Sequence, residues 1–423
     1  MSSSADLLRR GLQIRRGEWA AVALSFAYFF LLLASYYMLR PIRDALAAAN
    51  IGAQDLRFAF LTIFLVMLVL TPVFGMLAAR LTRRRLIPLI YLFFLANIVL
   101  FYWLFGAFSN TAALAYVFFV WLSVFNLFVV SVFWSFMADL YDSERAQRLF
   151  GPIAAGGSLG AILGPLLTRH LAESLGLPPL MLIAATLLGG ALACMLALDR
   201  TWKGTGDGPS RPMGGGALEG AKLAFSNSFL RGMTLLMVLG TLSGSMLYLL
   251  QIDVVGKLRE DPAQLTAFFA GVDLSINVLS VLIQLTLTGR VLAWLGFPAT
   301  LALLPLIALL GFGLIAAHPS VWVIVGLQVA RRTTLFAIAN PVSQMLFTAL
   351  GVHSKYKFKN FLDTVVYRAG DTLGSWLFAG LIAAGGIGLV AATGCLVAAA
   401  MVAVAIWIGR AYLRLGREIA VPD

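Results

Sequence analysis

Two adjacent arginines, Arg331 and Arg332, lie near the middle of Val321–Leu350, an apolar stretch long enough to cross a lipid bilayer. A charged side chain at that depth costs ~2.5–3.5 kcal/mol on insertion scales, so a chain that keeps two of them is expected to use them. Positive charge facing a water-filled cavity would bind an anion. The structural alternative is that the two side chains snorkel, or pair with acidic residues on neighbouring helices.

A second group of basic residues lies at the end of the first apolar stretch, where tyrosines and arginines occur at helical spacing. Tyr36, Arg40 and Arg43 fall at i, i+4 and i+7 and therefore share a helix face, with Tyr37 beside Tyr36. Pro41 is expected to bend the helix there. A tyrosine ring can stack on an aromatic ligand while a guanidinium binds phosphate bidentately. An outer interfacial belt of tyrosines and snorkelling arginines explains the same spacing equally well.

Acidic residues inside the eleventh predicted span are candidates for ion pairing or coupling. Asp363, Tyr367 and Asp371 share a face at i, i+4 and i+8. Arg368 lies beside that face, so the spacing predicts an Arg368–Asp371 pair at i, i+3.

Another polar face, in the eighth predicted span, carries Asp273 and Asn277. An ionisable residue within a span marks a functional site by default. Asp273 is the leading candidate for a proton-carrying carboxylate, or for a counter-ion to Arg331 or Arg332. A plain structural salt bridge fits the sequence as well.

No hydrolase or oxidoreductase pattern is evident, and the sequence predicts neither an enzyme nor a metal or other cofactor. The glycine-rich run Gly156–Gly160 lies in an apolar span without a following Lys-Ser/Thr, so close helix packing is expected there. The histidines lie near predicted span ends and the cysteines lie inside apolar spans, without the spacing of a nucleophile pair or a metal site: His170, His318, His353, Cys194 and Cys395.

The composition predicts an all-α integral membrane protein. The 423 residues are 61% hydrophobic and 12% charged, and the apolar runs are continuous rather than alternating, which favours helices over a barrel. The polar, basic N-terminus predicts no cleavable signal peptide. Twelve spans are predicted, at 18–40, 56–79, 86–106, 111–138, 150–170, 178–198, 229–252, 264–288, 297–317, 320–350, 361–384 and 386–409.

The formal net charge of +12 is explained by membrane topology rather than by nucleic acid binding. If the spans alternate, the basic clusters between them fall on one side of the membrane, as the positive-inside rule requires. Both termini are then cytoplasmic, and the expected location is the bacterial inner membrane. The clusters contain Arg9, Arg10, Arg15, Arg16, Arg80, Arg83, Arg84, Arg85, Arg145, Arg148, Lys355, Lys357, Lys359, Arg410, Arg414 and Arg417.

A Gly/Pro/Ser-rich linker at 199–228 divides the chain into two six-helix halves, 1–198 and 229–423. The halves resemble each other, since Gly160 and Gly164 recur 210 residues later as Gly370 and Gly374. Parallel six-span repeats joined by a cytoplasmic linker are the major facilitator arrangement. The segment Gly75–Arg85 resembles that superfamily's cytoplasmic loop signature in a degenerate form.

Three segments resemble motifs of the nucleotide (ATP/ADP) translocases of plastids and obligate intracellular bacteria. The resemblance implies a major facilitator fold of about twelve helices and exchange of ATP for ADP and phosphate without hydrolysis. The segments are Tyr36–Asp44, the run Lys355–Lys357 with Asn360–Asp363 and Gly370–Gly374, and Phe133-Trp134 with Arg148–Gly151.

The family's functional residues carry over only in part. Arg40 and Asp44 match its first motif, whereas Arg43 replaces a functionally important lysine, which keeps the charge but changes the geometry. Ser123 and Asn126 stand where the family has a glutamate, and Asp371 stands near another family lysine. These departures weaken the case for a ligand as anionic as ATP and favour a divergent branch with another anionic substrate.

The sequence therefore predicts a monomeric major facilitator transporter with its cavity between the two halves near the midplane. Arg40, Arg43, Arg331 and Arg332 would hold a phosphate- or carboxylate-bearing substrate, and Tyr36 or Tyr37 would stack on its ring. Two alternatives are a proton-coupled transporter of a smaller organic anion or drug, using Asp273, and a non-transporting scaffold or receptor. The residues assigned to coupling or ion pairing are Asp44, Asp273, Asp363, Arg368 and Asp371.

Overall fold

The computed structural model describes residues 14–15, 17–80, 83–108, 111–201, 217–258, 261–350 and 352–420. Their regular secondary structure is helical. The α-helices, numbered in chain order, are α1 Trp19–Leu46, α2 Leu56–Arg80, α3 Arg83–Ala107, α4 Ala112–Leu140, α5 Ser143–Leu175, α6 Leu177–Thr201, α7 Ala217–Ser226, α8 Ser228–Gly256, α9 Pro262–Thr286, α10 Thr288–Ala317, α11 Val321–Thr334, α12 Asn340–Leu346, α13 Val352–Phe361 and α14 Tyr367–Ala420.

Eleven helical stretches among the described residues are long and apolar enough to cross a membrane. One of them, Lys357–Leu415, has 59 residues, far more than the ~20 that a bilayer requires. Gly385 and Gly386 interrupt it with non-helical backbone, and the φ of 64° at Gly386 is one that glycine adopts without strain. This stretch therefore has the length and the break of two spans, in agreement with the prediction of about twelve spans.

Side-chain caps begin several of the long helices where the apolar runs start. The side chains of Thr111, Asp142, Asn227 and Ser320 each accept a hydrogen bond from the backbone N–H three residues later. Each bond satisfies one of the N–H groups that a helix start leaves without an intrahelical partner. Short polar residues thus mark the starts of these helices more precisely than hydropathy does.

The described residues form two compact units by their contacts. Unit 1 draws on Met1–Leu46, Val69–Met213 and Asp261–Leu274, and unit 2 on Ala47–Leu68, Gly214–Glu260 and Ser275–Asp423. Helices α2 and α9 each contribute one part to unit 1 and the other to unit 2. The division at the linker, into 1–198 and 229–423, is a division of the chain and stays a prediction.

Glycines allow the closest helix pair of each unit to form. In unit 1, a Cβ at Gly164 of α5 would lie 2.6 Å from the carbonyl oxygen of Ala34 in α1. In unit 2, a Cβ at Gly374 of α14 would lie 2.9 Å from the Cβ of Ser245 in α8. Small residues let membrane helices approach this closely. The packing role predicted for Gly156–Gly160 is confirmed, because that run lies directly against α1.

The structure also refines the segments between the spans. Residues 202–216 of the linker lie outside the described part, while the end of the linker forms the ten-residue helix α7. The first helix runs on to Leu46, past the predicted end at residue 40 and through Pro41. In the loop-signature segment, the side chains of residues 77–85 lie outside the described residues.

Candidate functional site

The first basic cluster lies in unit 1 and is built around Arg40. The Nε of Arg40 lies 3.5 Å from the Oδ2 of Asp273, and the side chains are 14% and 3% exposed. This is ion-pair distance rather than a short charge-assisted hydrogen bond. The structure thus shows Arg40 as a partner of Asp273, 233 positions away along the chain. The sequence analysis had not considered Arg40 as the counter-ion of Asp273.

Arg43, one turn after Arg40, is also neutralised within unit 1. Its Nε and Nη2 donate hydrogen bonds to Oδ1 of Asp44, at 2.9 Å and 2.7 Å. The guanidinium also lies 4.8 Å from the ring centroid of Phe119, a cation–π arrangement. The side chains of Arg43 and Asp44 are mostly buried, which argues against the outer belt of snorkelling arginines.

The two tyrosines of the first basic cluster have different surroundings. Tyr36 is buried, with its ring 5.0 Å from that of Tyr37 and 6.4 Å from that of Phe125. Tyr37 is only partly buried, and the guanidinium of Arg40 lies 5.8 Å from its ring centroid. Tyr37 is therefore better placed than Tyr36 to stack on a ligand beside Arg40.

The second basic cluster lies in unit 2 and is built around Arg331, which is 7% exposed. Its Nη2 donates a 2.9 Å hydrogen bond to the carbonyl oxygen of Gly240 in α8. Gly244 makes room for the guanidinium, because a Cβ there would lie 2.5 Å from Nη2. Among the described residues, Arg331 has no carboxylate at ion-pair distance.

Arg332, the neighbour of Arg331, points to a different side of α11, since successive residues on a helix are ~100° apart. Arg332 is 8% exposed, and its guanidinium lies 5.6 Å from the ring centroid of Phe336. Both arginines are thus buried within unit 2. The structure does not show them extended along the surface, as snorkelling requires.

The acidic residues of the eleventh predicted span separate into two environments. Arg368 Nη1 lies 3.7 Å from Asp371 Oδ2, which confirms the predicted pair. The hydroxyl of Ser245 donates a 2.8 Å hydrogen bond to the other oxygen of Asp371. Asp363 is exposed and does not join that partly buried group, so the predicted face is not continuous. A π-helical turn, Leu362–Val366, shifts the register between Asp363 and Asp371.

Three π-helical segments adjoin the charged clusters. The sequence analysis did not predict these segments. Ala47–Ile51 follows the Arg43–Asp44 pair, Leu335–Ala339 follows Arg331 and Arg332, and Leu362–Val366 precedes Arg368. Such segments occur frequently at functional sites. Hydrophobic periodicity offers no signal for them, because a single extra residue barely alters the apolar pattern.

Buried polar residues around Arg331 were also missed. Gln328, one turn before Arg331, is 2% exposed, and its Oε1 accepts no hydrogen bond within the described part of the chain. The hydroxyl of Ser243 in α8 is likewise buried without a partner there. A glutamine inside an apolar span and the small, polar run Gly240–Ser245 are the sequence signals that could have identified this surface.

A third charged cluster lies in unit 1, where Glu18 immediately precedes α1. Its two carboxylate oxygens accept hydrogen bonds from Nη1 and Nη2 of Arg148, at 3.1 Å and 3.0 Å. These bonds hold the pKa of Glu18 below its usual value. Nearby, burial raises the pKa of Tyr141, whose hydroxyl lies 2.9 Å from that of Ser25. The cluster joins α1 to the start of α5.

Comparison with known proteins places this arrangement in a family. A profile of the Major Facilitator Superfamily matches residues 22–356. The chain belongs to the major facilitator superfamily. It is therefore a membrane transporter of the major facilitator type, in agreement with the predicted fold. No curated protein sequence matches it significantly.

Solved structures of several transporters share the fold at low sequence identity. The POT family transporter PepTSo is 13% identical, with a TM-score of 0.63, over 95% of this chain and 99% of that one. A mutant of the nucleoside transporter NupG is 13% identical, with a TM-score of 0.62, over 94% and 99%. A bacterial homologue of the human lysosomal transporter Spinster is 14% identical, with a TM-score of 0.56, over 93% and 97%. Identities this low establish the fold alone.

Proposed function

We propose that this major facilitator protein transports an anionic, phosphorylated substrate by alternating access, with Arg331 as its principal anion ligand. The supporting observation is that Arg331 is buried while its one hydrogen bond within the described residues is to the carbonyl of Gly240. A buried charge normally requires an opposite charge close by, because desolvation costs several kcal/mol per ion. A bound anion would supply that charge.

The donors of Arg331 suit a phosphate in particular. A guanidinium has five N–H donors in a rigid plane, and Gly240 occupies one of them. The donors that remain match the bidentate geometry of phosphate or carboxylate oxygens. The amide of Gln328, one turn earlier, adds a polar group to the same helix. Arg332 contributes a second positive charge, which favours a dianionic phosphate over a single carboxylate.

The role of Arg40 and Arg43 differs, because both have carboxylate partners. Arg43 is held by Asp44 through two hydrogen bonds, so we assign it to positioning. Arg40 forms a looser pair with Asp273 and lies beside Tyr37. We propose that Arg40 exchanges Asp273 for substrate during the transport cycle, while Tyr37 stacks on an aromatic part of the substrate. The resemblance to ATP/ADP translocases makes adenine nucleotides the first substrates to test.

Counterflow in proteoliposomes tests this proposal. Vesicles that contain the purified protein are loaded with ADP, and uptake of labelled ATP is compared with uptake into vesicles without internal nucleotide. Uptake that requires internal ADP would establish nucleotide exchange. If ATP is not taken up, the same vesicles are tested with inorganic phosphate and with smaller phosphorylated metabolites.

Single variants connect the transport to the assigned residue. Arg331→Gln should lower uptake roughly 100-fold, because charged hydrogen bonds of about 3 kcal/mol are lost. Arg290→Gln, which neutralises an exposed arginine in α10, is the matched control and should transport normally. Equal uptake by wild type and Arg331→Gln, for every phosphorylated substrate that is carried, would contradict the proposal.

A second candidate function is proton-coupled uptake of a smaller organic anion. It is favoured by Asp273, a carboxylate that is 3% exposed and lies at ion-pair distance from a cation. Protonation of Asp273 would release Arg40 for substrate. An imposed pH gradient should then drive uptake into empty vesicles, and Asp273→Asn should abolish this gradient dependence. Uptake that requires internal substrate and does not depend on the pH gradient would exclude proton-coupled uptake.

A further inference from the structure

A cavity of about 450 Å³ opens in unit 2, between the beginning of α8 and the late part of α14. It is distinct from the surroundings of Arg331, since none of its lining residues belongs to α11. Ser228 and Phe229 line it from α8, and Ala403, Trp407, Arg410 and Arg414 line it from α14. The sequence analysis attributed these two arginines to membrane topology alone.

One end of the cavity is basic. Arg410 and Arg414 are one turn apart and therefore project from the same face of α14. Both are exposed, and neither forms a hydrogen bond or an ion pair with another described residue. Ser228 is the first residue of a 29-residue helix, whose N-terminal N–H groups add a partial positive charge. This end of the cavity is complementary to a phosphate group.

The other end is apolar. Trp407 lies one turn before Arg410 on the same face, and its indole packs over Gly232 of α8, where a Cβ would collide with the ring. Ala403 continues this surface one further turn along α14. Tryptophan is enriched at the depth of lipid headgroups, with arginine at the membrane surface beyond it. The lining thus changes from apolar to basic along the helix axis, as a lipid changes from acyl chain to headgroup.

We propose that this cavity binds an anionic phospholipid. The lipid phosphate lies between Arg410, Arg414 and the start of α8, and an acyl chain lies along Ala403 and Trp407. Basic pockets between membrane helices on the cytoplasmic side are recognised by anionic headgroups. A free phosphate ion would satisfy the arginines equally well but would leave the apolar end uncovered. The site is independent of the transport proposal, because it involves neither Arg331 nor Arg40.

Native mass spectrometry of the purified full-length protein tests the proposal. The detergent-solubilised protein is mixed with equal amounts of phosphatidylglycerol and phosphatidylcholine, and the lipids that stay bound are counted. Wild type should retain phosphatidylglycerol in preference to phosphatidylcholine. In the double variant Arg410→Gln/Arg414→Gln this preference should fall about tenfold, because the two basic residues that attract the anionic headgroup are lost. Equal retention by wild type and this variant would overturn the proposal.

Two further arms separate the possible sources of the phosphate group. The matched control Arg200→Gln/Arg290→Gln also removes two exposed arginines and should retain phosphatidylglycerol as wild type does. Ala403→Trp fills the apolar end without changing the charge, and it should displace the lipid while each variant remains monodisperse on size exclusion. If millimolar inorganic phosphate displaces phosphatidylglycerol from wild type, or if Ala403→Trp binds it normally, the site takes free phosphate and the lipid assignment fails.

Discussion

Arg40 in unit 1 and Arg331 in unit 2 are both mostly buried arginines on apolar helices, yet their charges are compensated differently. Arg40 has the carboxylate of Asp273 at 3.5 Å. Arg331 has the carbonyl of Gly240 at 2.9 Å, and no carboxylate within ion-pair distance among the described residues. A carbonyl dipole stabilises a cation but cannot neutralise it. Arg40 thus has a carboxylate partner in unit 1, whereas Arg331 has none at ion-pair distance among the described residues; in the proposed function, the anionic substrate supplies that partner.

The energetic consequence is that the two arginines should respond oppositely to neutralisation. Breaking a buried pair by removing one partner leaves an uncompensated charge and is strongly destabilising. Removing a buried charge that lacks a counter-ion relieves a desolvation cost instead. Stability measurements can therefore test the comparison without knowledge of the substrate.

The largest stability effect is expected for Asp273→Asn. It leaves Arg40 buried without its carboxylate partner and should reduce the free energy of unfolding by about 3 kcal/mol. The double variant Arg40→Gln/Asp273→Asn should recover a large part of this loss. Thermal unfolding in detergent provides the measurement. Asp253→Asn is the control, because its partner Lys257 is largely exposed and the pair should contribute about 0.5 kcal/mol.

The opposite sign is expected for Arg331→Gln. The variant removes a buried charge that has no carboxylate at ion-pair distance among the described residues, so the midpoint of thermal unfolding should stay the same or rise, by the equivalent of about 1 kcal/mol. Arg40→Gln should lower the midpoint under the same conditions. A decrease for Arg331→Gln as large as that for Arg40→Gln would show that Arg331 has an internal counter-charge, and the comparison would fail.

A steric variant perturbs Arg331 without changing any charge. A Cβ introduced by Gly244→Ala would meet the guanidinium and displace it from the carbonyl of Gly240. The lost hydrogen bond, about 1 kcal/mol, roughly cancels the gain in helix propensity. Stability should change little while uptake falls about tenfold, the equivalent of about 1.4 kcal/mol. Gly326→Ala, where the added methyl group meets open space, should leave uptake normal.

The smallest effect concerns pH and the Glu18 cluster of unit 1. Hydrogen bonds from Arg148 lower the pKa of Glu18 in the folded protein. A depressed carboxylate pKa contributes stability above the pKa of the unfolded chain, and that stability is lost as the pH falls through the folded value. The protein should therefore lose up to about 1 kcal/mol below roughly pH 4, where glutamate titrates. Glu18→Gln should flatten this part of the stability profile, and an unchanged profile would contradict the assignment.

Local sequence patterns predicted much of the fold. Apolar length predicted the spans, and i, i+3 spacing correctly paired Arg368 with Asp371. The packing role of Gly156–Gly160 was also predicted, because small residues let membrane helices approach closely. These features depend on residues close together in the chain, where spacing implies distance.

The partners of the buried arginines could not be predicted in the same way. Asp273 is far from Arg40 in sequence, and nothing in the local pattern distinguished Arg40 from Arg331 or Arg332 as its counter-ion. The carbonyl of Gly240 carries no sequence signal, because every residue has a carbonyl. Which buried arginine pairs with a carboxylate depends on how the helices pack. A single sequence does not specify the distance between side chains on different helices.

The π-helical turns next to the charged clusters also affect how related chains should be aligned. Each such turn contains one residue more than the α-helix that it interrupts. Deleting a single residue from Leu335–Ala339 would restore an uninterrupted helix and rotate Arg331 and Arg332 by ~100° relative to everything that follows. A relative that lacks one residue at this point therefore has a differently oriented arginine pair, even where every neighbouring residue is identical. In such alignments a one-residue gap, rather than a substitution, would mark the changed orientation of the arginine pair.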